Sequence, residues 1–172
     1  MSDINNNHKL LRYWRSLILL PLAVILLDQL TKSLVRANLS LGESWLPFPA
    51  LGRSIRILNL DNSAAAFGLL GEEAGAWITW LGVAVIVLIL VFYPRIAQSP
   101  TYMRVAFGLL LGGFAGNLID RIIQGYVTDI FVVLLPNAFN LADLANFGGF
   151  IVLLIGYLEE SSQEVEAENK KN

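Results

Sequence analysis

Long apolar runs alternate with short polar clusters along this chain. Four runs reach the length of about 20 residues that a helix needs to cross a bilayer. They cover about 14–34, 74–93, 102–119 and 140–158. Lys9, Arg12 and Arg15 ahead of the first run imitate the start of a signal peptide. The run is longer than the h-region of about 7–15 residues, and Asp28 and Lys32 interrupt its far end, so it reads as a retained span. Two polar segments, about 36–73 and 122–139, lie between spans on one side. In the first, Ile55 and Ile57 alternate with Arg56 and Leu58, the period of a short half-buried strand. The second is rich in β-formers from Tyr126 to Val133. The pattern predicts an all-α membrane protein: one integral membrane domain of four transmembrane helices with a small extracytoplasmic β-element. The acidic tail, about 160–172, is expected to be solvated and disordered.

Composition sharpens this picture. Of 172 residues, 55% are hydrophobic and 15% charged, against roughly 25% charged in an average soluble domain. A net charge of −2 offers no electrostatic case for nucleic acid. With no cysteine there is no disulfide, no thiol nucleophile and no Cys-based metal site. The single histidine, His8, sits in the polar N-terminal segment, which argues against a zinc hydrolase. A carboxylate-only site for a harder metal stays open on these grounds. Lys9, Arg12, Arg15, Arg95 and Arg104 fall on one side of the four spans, with Arg36, Arg53, Arg56 and Arg121 on the other. The positive-inside rule puts the first side, and with it both chain termini, in the cytoplasm.

Against this apolar background the acids stand out. An ionisable group at membrane depth is expensive and marks a functional site by default. Asp129 follows the cluster Gly116 to Arg121, and Asp143 closes Phe139 to Asp143; both fall at the outer end of the spans. Each has a bland reading, Asp129 as a loop residue and Asp143 as an acid at a helix N-terminus. The joint pattern of polar groups at one membrane face favours a site. In the third span Gly108, Gly112 and Gly116 recur every four residues, a flat stripe for close helix approach. Gly113 lies on a neighbouring face, with Asn117, Asp120 and Arg121 projecting together near the span's end. Asn140 stands three residues before Asp143. Asp28 and Lys32 form an i, i+4 pair in the favourable order, with snorkelling of Lys32 to the membrane edge as the structural reading. Asn62 opens a polar pair before a run of small residues, either a loop approaching the site or a turn.

These clusters, in order and on four spans, resemble the lipoprotein signal peptidases, the bacterial signal peptidases II. The likeness covers nearly the whole chain. It rests on Asp28-x-x-Thr31-Lys32, on Asn62 to Phe67, on Gly116-Asn117-x-x-Asp120-Arg121 with Gly125 to Phe131, and on Phe139-Asn140-x-Ala142-Asp143. Ala64 stands where the family usually has Gly, Ile130 intrudes before Phe131, and Leu144 replaces a common Ser. The resemblance implies that Asp129 and Asp143 are the catalytic pair of an intramembrane aspartyl protease, working by general acid/base activation of water. Asp28, Lys32, Asn62, Gly113, Asn117, Asp120, Arg121 and Asn140 are implied to shape the site or bind substrate. It further implies prolipoprotein substrates whose lipobox cysteine carries diacylglycerol, cut on the N-terminal side of that cysteine. Membrane lipids and a globomycin-type inhibitor are the other implied partners, and no metal or cofactor is expected. The implied location is the bacterial cytoplasmic (inner) membrane. The rival class is a small multi-span transporter or assembly subunit with intramembrane acids. It predicts acids spread through the membrane depth, whereas these gather at one face. The Gly-x-Gly-Asp signature of presenilin- or prepilin-type proteases is absent.

Overall fold

The computed structural model describes residues 2–63, 71–134 and 137–170. Its elements in chain order are α1 (Ser2–Asn38), β1 (Ser44–Trp45), a short 3-10 stretch (Pro49–Ser54), β2 (Ile55–Asn62), α2 (Gly71–Gln98), α3 (Thr101–Gln124), β3 (Val127–Val133) and α4 (Leu141–Asn169). Four helices are long and apolar enough to cross a membrane, over Ile18–Asn38, Ala76–Gln98, Thr101–Gln124 and Leu141–Gln163. Leu26, Leu30, Trp77, Val91, Phe147 and Leu154 are all exposed on the outside of the bundle. An apolar exterior of that extent suits lipid rather than water.

The helix α3 is central and packs against α1, α2 and α4. Its glycine stripe is what permits this. A Cβ at Gly112 would press into Val24 and the backbone of Pro21, and one at Gly116 would meet Asp28, so α1 crosses at backbone contact. A Cβ at Gly113 would instead run into Ala142 and Asn146 of α4. Ile89, Tyr93, Ile96 and Ala97 of α2 bury against Leu110 of α3 in the main apolar cluster.

The spans outrun the sequence estimate at their C-terminal ends. The helix α3 continues through Asp120 and Arg121 to Gln124, and stops where Gly125 adopts φ 81° and its N–H bonds Arg121 O. Asp120 and Arg121 therefore project from a regular helix rather than from its frayed end. The acidic tail departs from expectation: α4 runs unbroken to Asn169. Glu, Gln and Ala are good helix formers, and extending an existing helix avoids the unfavourable nucleation step.

At one end of the bundle sits a sheet of order β1-β2-β3, antiparallel throughout. The register pairs Ile57 with Phe131 and Leu60 with Asp129, with an irregularity between them. That irregularity breaks the expected alternation, so the neighbours Leu58 and Asn59 are both buried. Beyond β3 the chain doubles back. Phe139 exchanges backbone bonds with Phe131 at 2.8 and 2.9 Å, and their rings lie 5.9 Å apart. This return sets Asn140, the residue before α4, beside Asp129.

Candidate active site

Asp129 arrives on β3 and Asp143 in the first turn of α4, and both line one cavity of about 160 Å³ at the sheet end of the bundle. Asn62, Asn117, Arg121 and Asn146 are its other main polar groups. Phe114, Leu118 and Val127 contribute apolar wall.

Asn140 holds the two acids together. Its Nδ2 donates to Asp129 Oδ1 at 2.9 Å. Its Oδ1 accepts the Asp143 N–H at 2.9 Å, and its own N–H donates to Asp143 Oδ2 at 3.1 Å. This last exchange is a capping box, with Asp in place of the usual Glu or Gln. Capping occupies Asp143 Oδ2, while Oδ1 receives Asn117 Nδ2 at 2.8 Å. Asp143 thus caps α4 with one oxygen and meets the amide of α3 with the other. Asp129 Oδ2 receives Asn62 Nδ2 at 2.8 Å. That contact follows from register, because Asn62 pairs with Val127 and so sits diagonally from Asp129 on the same sheet face.

Asp129 is 3% exposed. Burial, then the nearby charge of Asp143, pushes its carboxyl up to about 7, against the opposing pull of the Asn62 and Asn140 hydrogen bonds and Lys32. Arg121 interacts electrostatically with Asp143, Asp129 and Asp120. Among the described residues it makes no direct hydrogen bond to either cavity aspartate.

Beneath the cavity lies a buried ionic knot. Lys32 Nζ contacts Asp28 Oδ2 at 2.8 Å, Asp120 Oδ2 at 3.1 Å and Asn117 Oδ1 at 3.0 Å. Lys32 and Asp28 are 0% exposed, so Lys32 does not snorkel. The second oxygen of Asp28 accepts the N–H of Ala142, another open donor at the start of α4, at 3.0 Å. Asp120 Oδ2 also accepts the Thr128 N–H at 3.0 Å, tying α3 to β3. All ten residues singled out from sequence therefore gather here, with Gly113 serving as the space that admits α4.

Sequence reasoning passed over four contributors. Gln29 bridges Asp28, Asp120 and Gly116 O. Arg36 lies 3.6 Å from Asp120 and donates to Thr128 Oγ1 at 2.8 Å. Thr128 itself is fully buried, and Asn146 faces the cavity. Arg36 was within reach of periodicity, standing at i+4 from Lys32 and i+8 from Asp28. Asn146, three residues after Asp143 in an otherwise apolar run, carried a similar signal. Of the departures from the resembled pattern, Ile130 is buried in the sheet and Leu144 points outward. Ala64 to Phe67 lie outside the described residues. Among the described residues, no group of three or more His, Cys, Asp or Glu is arranged to hold a metal ion.

Comparison with known proteins gives a consistent result. A family model described as signal peptidase (SPase) II matches residues 20–159. The lipoprotein signal peptidase of Moorella thermoacetica is 37% identical over 136 residues, 79% of this chain and 88% of that protein. The Bacillus velezensis lipoprotein signal peptidase is 34% identical over 153 residues, 86% of this chain and 97% of that protein. A bacterial membrane enzyme solved by the in meso method at 2.3 Å resolution superposes with a TM-score of 0.74 at 28% identity, covering 86% of this chain and 90% of its own.

Proposed function

The chain belongs to the signal peptidase II family, and from this premise we propose that it is a membrane-embedded aspartyl endopeptidase that removes signal peptides from diacylglyceryl-modified prolipoproteins. It cuts on the N-terminal side of the lipidated cysteine, with Asp129 and Asp143 as the catalytic pair. The observation that carries this reading is Asn140 bonded to both carboxylates at the edge of one cavity.

The chemistry follows from confinement. Two carboxylates sharing a poorly solvated site cannot both ionise cheaply, so they hold one proton between them. The ionised member takes a proton from water as that water attacks the scissile carbonyl. The protonated member polarises the carbonyl oxygen, and a proton passes to the leaving amine as the C–N bond breaks. Asn117 and Asn140 fix the carboxylates in place, which matters because small misplacements of reacting groups carry large rate penalties. Arg121 supplies positive charge beside the developing oxyanion. The sheet end of the bundle faces outward, and both chain termini are cytoplasmic. A cavity there admits water from one side and a diacylated peptide from the bilayer. Globomycin-type peptides would compete for the same cavity.

The test is to replace Asp129 or Asp143 with Asn, singly, and follow cleavage of a purified diacylated precursor. Loss of general acid/base catalysis predicts a fall of about 10²- to 10⁴-fold for each. Cleavage at the wild-type rate by either variant, at normal protein level, sinks the pair.

A further inference from the structure

We propose that Asn146 is a substrate-binding residue whose side-chain oxygen accepts a backbone N–H from the signal-peptide side of the scissile bond. This rests on the protease reading above.

Asn146 lies on α4 three residues beyond Asp143 and lines the same cavity. Its neighbours Asn62, Asn117 and Asn140 all donate hydrogen bonds to the cavity aspartates. Asn146 differs: its Oδ1 is buried and, among the described residues, has no hydrogen-bond partner. Gly113 makes room for it, since a Cβ there would collide with that oxygen. A buried carbonyl left without a partner is unfavourable. Leucine would fill a similar volume without that penalty. An acceptor left unpaired at the wall of the reacting cavity is matched by a donor that arrives with the substrate.

The substrate brings such donors. A peptide bond can be attacked only when its segment is extended, and extension frees backbone N–H groups from their helical partners. At membrane depth those groups need acceptors from the enzyme. The position fixes which ones. Three residues along α4 set Asn146 about 4–5 Å deeper in the bundle than Asp143. The signal peptide is the part of the precursor buried in the membrane, so its N–H groups, on the N-terminal side of the cut, pass this level.

The experiment pairs Asn146→Ala and Asn146→Leu with synthetic diacylated peptides. In these, an ester replaces the amide at each of the three residues before the cut, one at a time. Each variant should lower kcat/KM on the all-amide peptide by about 3- to 10-fold, the effect of one hydrogen bond. The loss should appear in KM, with kcat and its pH profile unmoved. Melting of Asn146→Leu should be unchanged or raised, which a structural role for Asn146 would not give. At one ester position the wild type should lose a similar factor and the variants nothing further. Full activity in both variants, or losses that multiply at every ester position, overturns the assignment. Failure of the protease reading looks different: the wild type would leave the all-amide peptide uncut, and both readings would fall.

Discussion

Lys32 has three ammonium protons and three oxygens to receive them, on Asp28, Asp120 and Asn117. An ammonium can only donate, so it fixes which end of the Asn117 amide points down and leaves the NH2 end for Asp143. The i, i+4 spacing of Asp28 and Lys32 was legible in the sequence. Their burial was not, because it depends on α3 bringing Asp120 and Asn117 across from some 85 residues away. The same holds for Asp129, whose carboxyl lies at about 7 through burial and the charge of Asp143. On the proposed mechanism the pair shares one proton, and that active form is lost as pH rises through this range, so kcat should fall on the alkaline side. The Asn62 hydrogen bond favours ionised Asp129 and lowers its pKa. Asn62→Ala removes that pull, raises the pKa and should move the alkaline limb of kcat to higher pH. A limb that stays put, or moves down, in a pH–rate series counts against Asp129 as a partner in the shared proton.

Periodicity carried the helices well, because each apolar run and the glycine stripe of α3 are local in sequence. It carried the sheet less well. The two-residue strand β1 has no pattern to read, and the backbone return of Phe139 onto Phe131 is a contact made by the fold, not a propensity. What sequence could not assign was which glycine faces which helix. Gly112 meets Pro21 and Val24 of α1, whereas Gly113, one residue on, meets α4. Valine at 112 would push α1 away at Pro21, where backbone rather than a flexible side chain is in contact. The ionic knot spans that same α1–α3 interface. Gly112→Val should therefore lose about 1–3 kcal/mol to overpacking and more as Lys32 leaves Asp120, with cleavage falling alongside. Thermal unfolding in detergent reads this directly, and a variant with wild-type melting and activity would show that α1 and α3 are less closely apposed.

At the scale of the whole molecule the site is a junction. The helix α1 supplies the cation, α3 the acid and amides beneath, β2 and β3 one face, and α4 a helix start whose open N–H groups are met by Asp28, Asn140 and Asp143. Every one of these contributions lies at the same end of the bundle. That arrangement has a function only if the end faces the compartment where lipidated precursors emerge. Four spans return the chain to the side on which it began, and the connection Ser99-Pro100 between α2 and α3 shares that side with Arg95 and Arg104. The opposite side is not free of charge: Arg36, Arg53, Arg56 and Arg121 lie there, which makes the positive-inside bias modest. Two of those four are engaged by acids at the site, Arg36 with Asp120 and Arg121 electrostatically with Asp143 and Asp129. Their charge is thus partly neutralised once the bundle forms, which leaves Lys9, Arg12 and Arg15 as the basic group expected to orient the first span. A fluorescent protein that folds only in the cytoplasm should glow when joined after Asn172, and a phosphatase active only outside should stay silent there. The same phosphatase inserted between Gly42 and Glu43 should be active. The reverse pattern would put the cavity on the cytoplasmic side and remove the outward-facing geometry on which the proposed reaction depends.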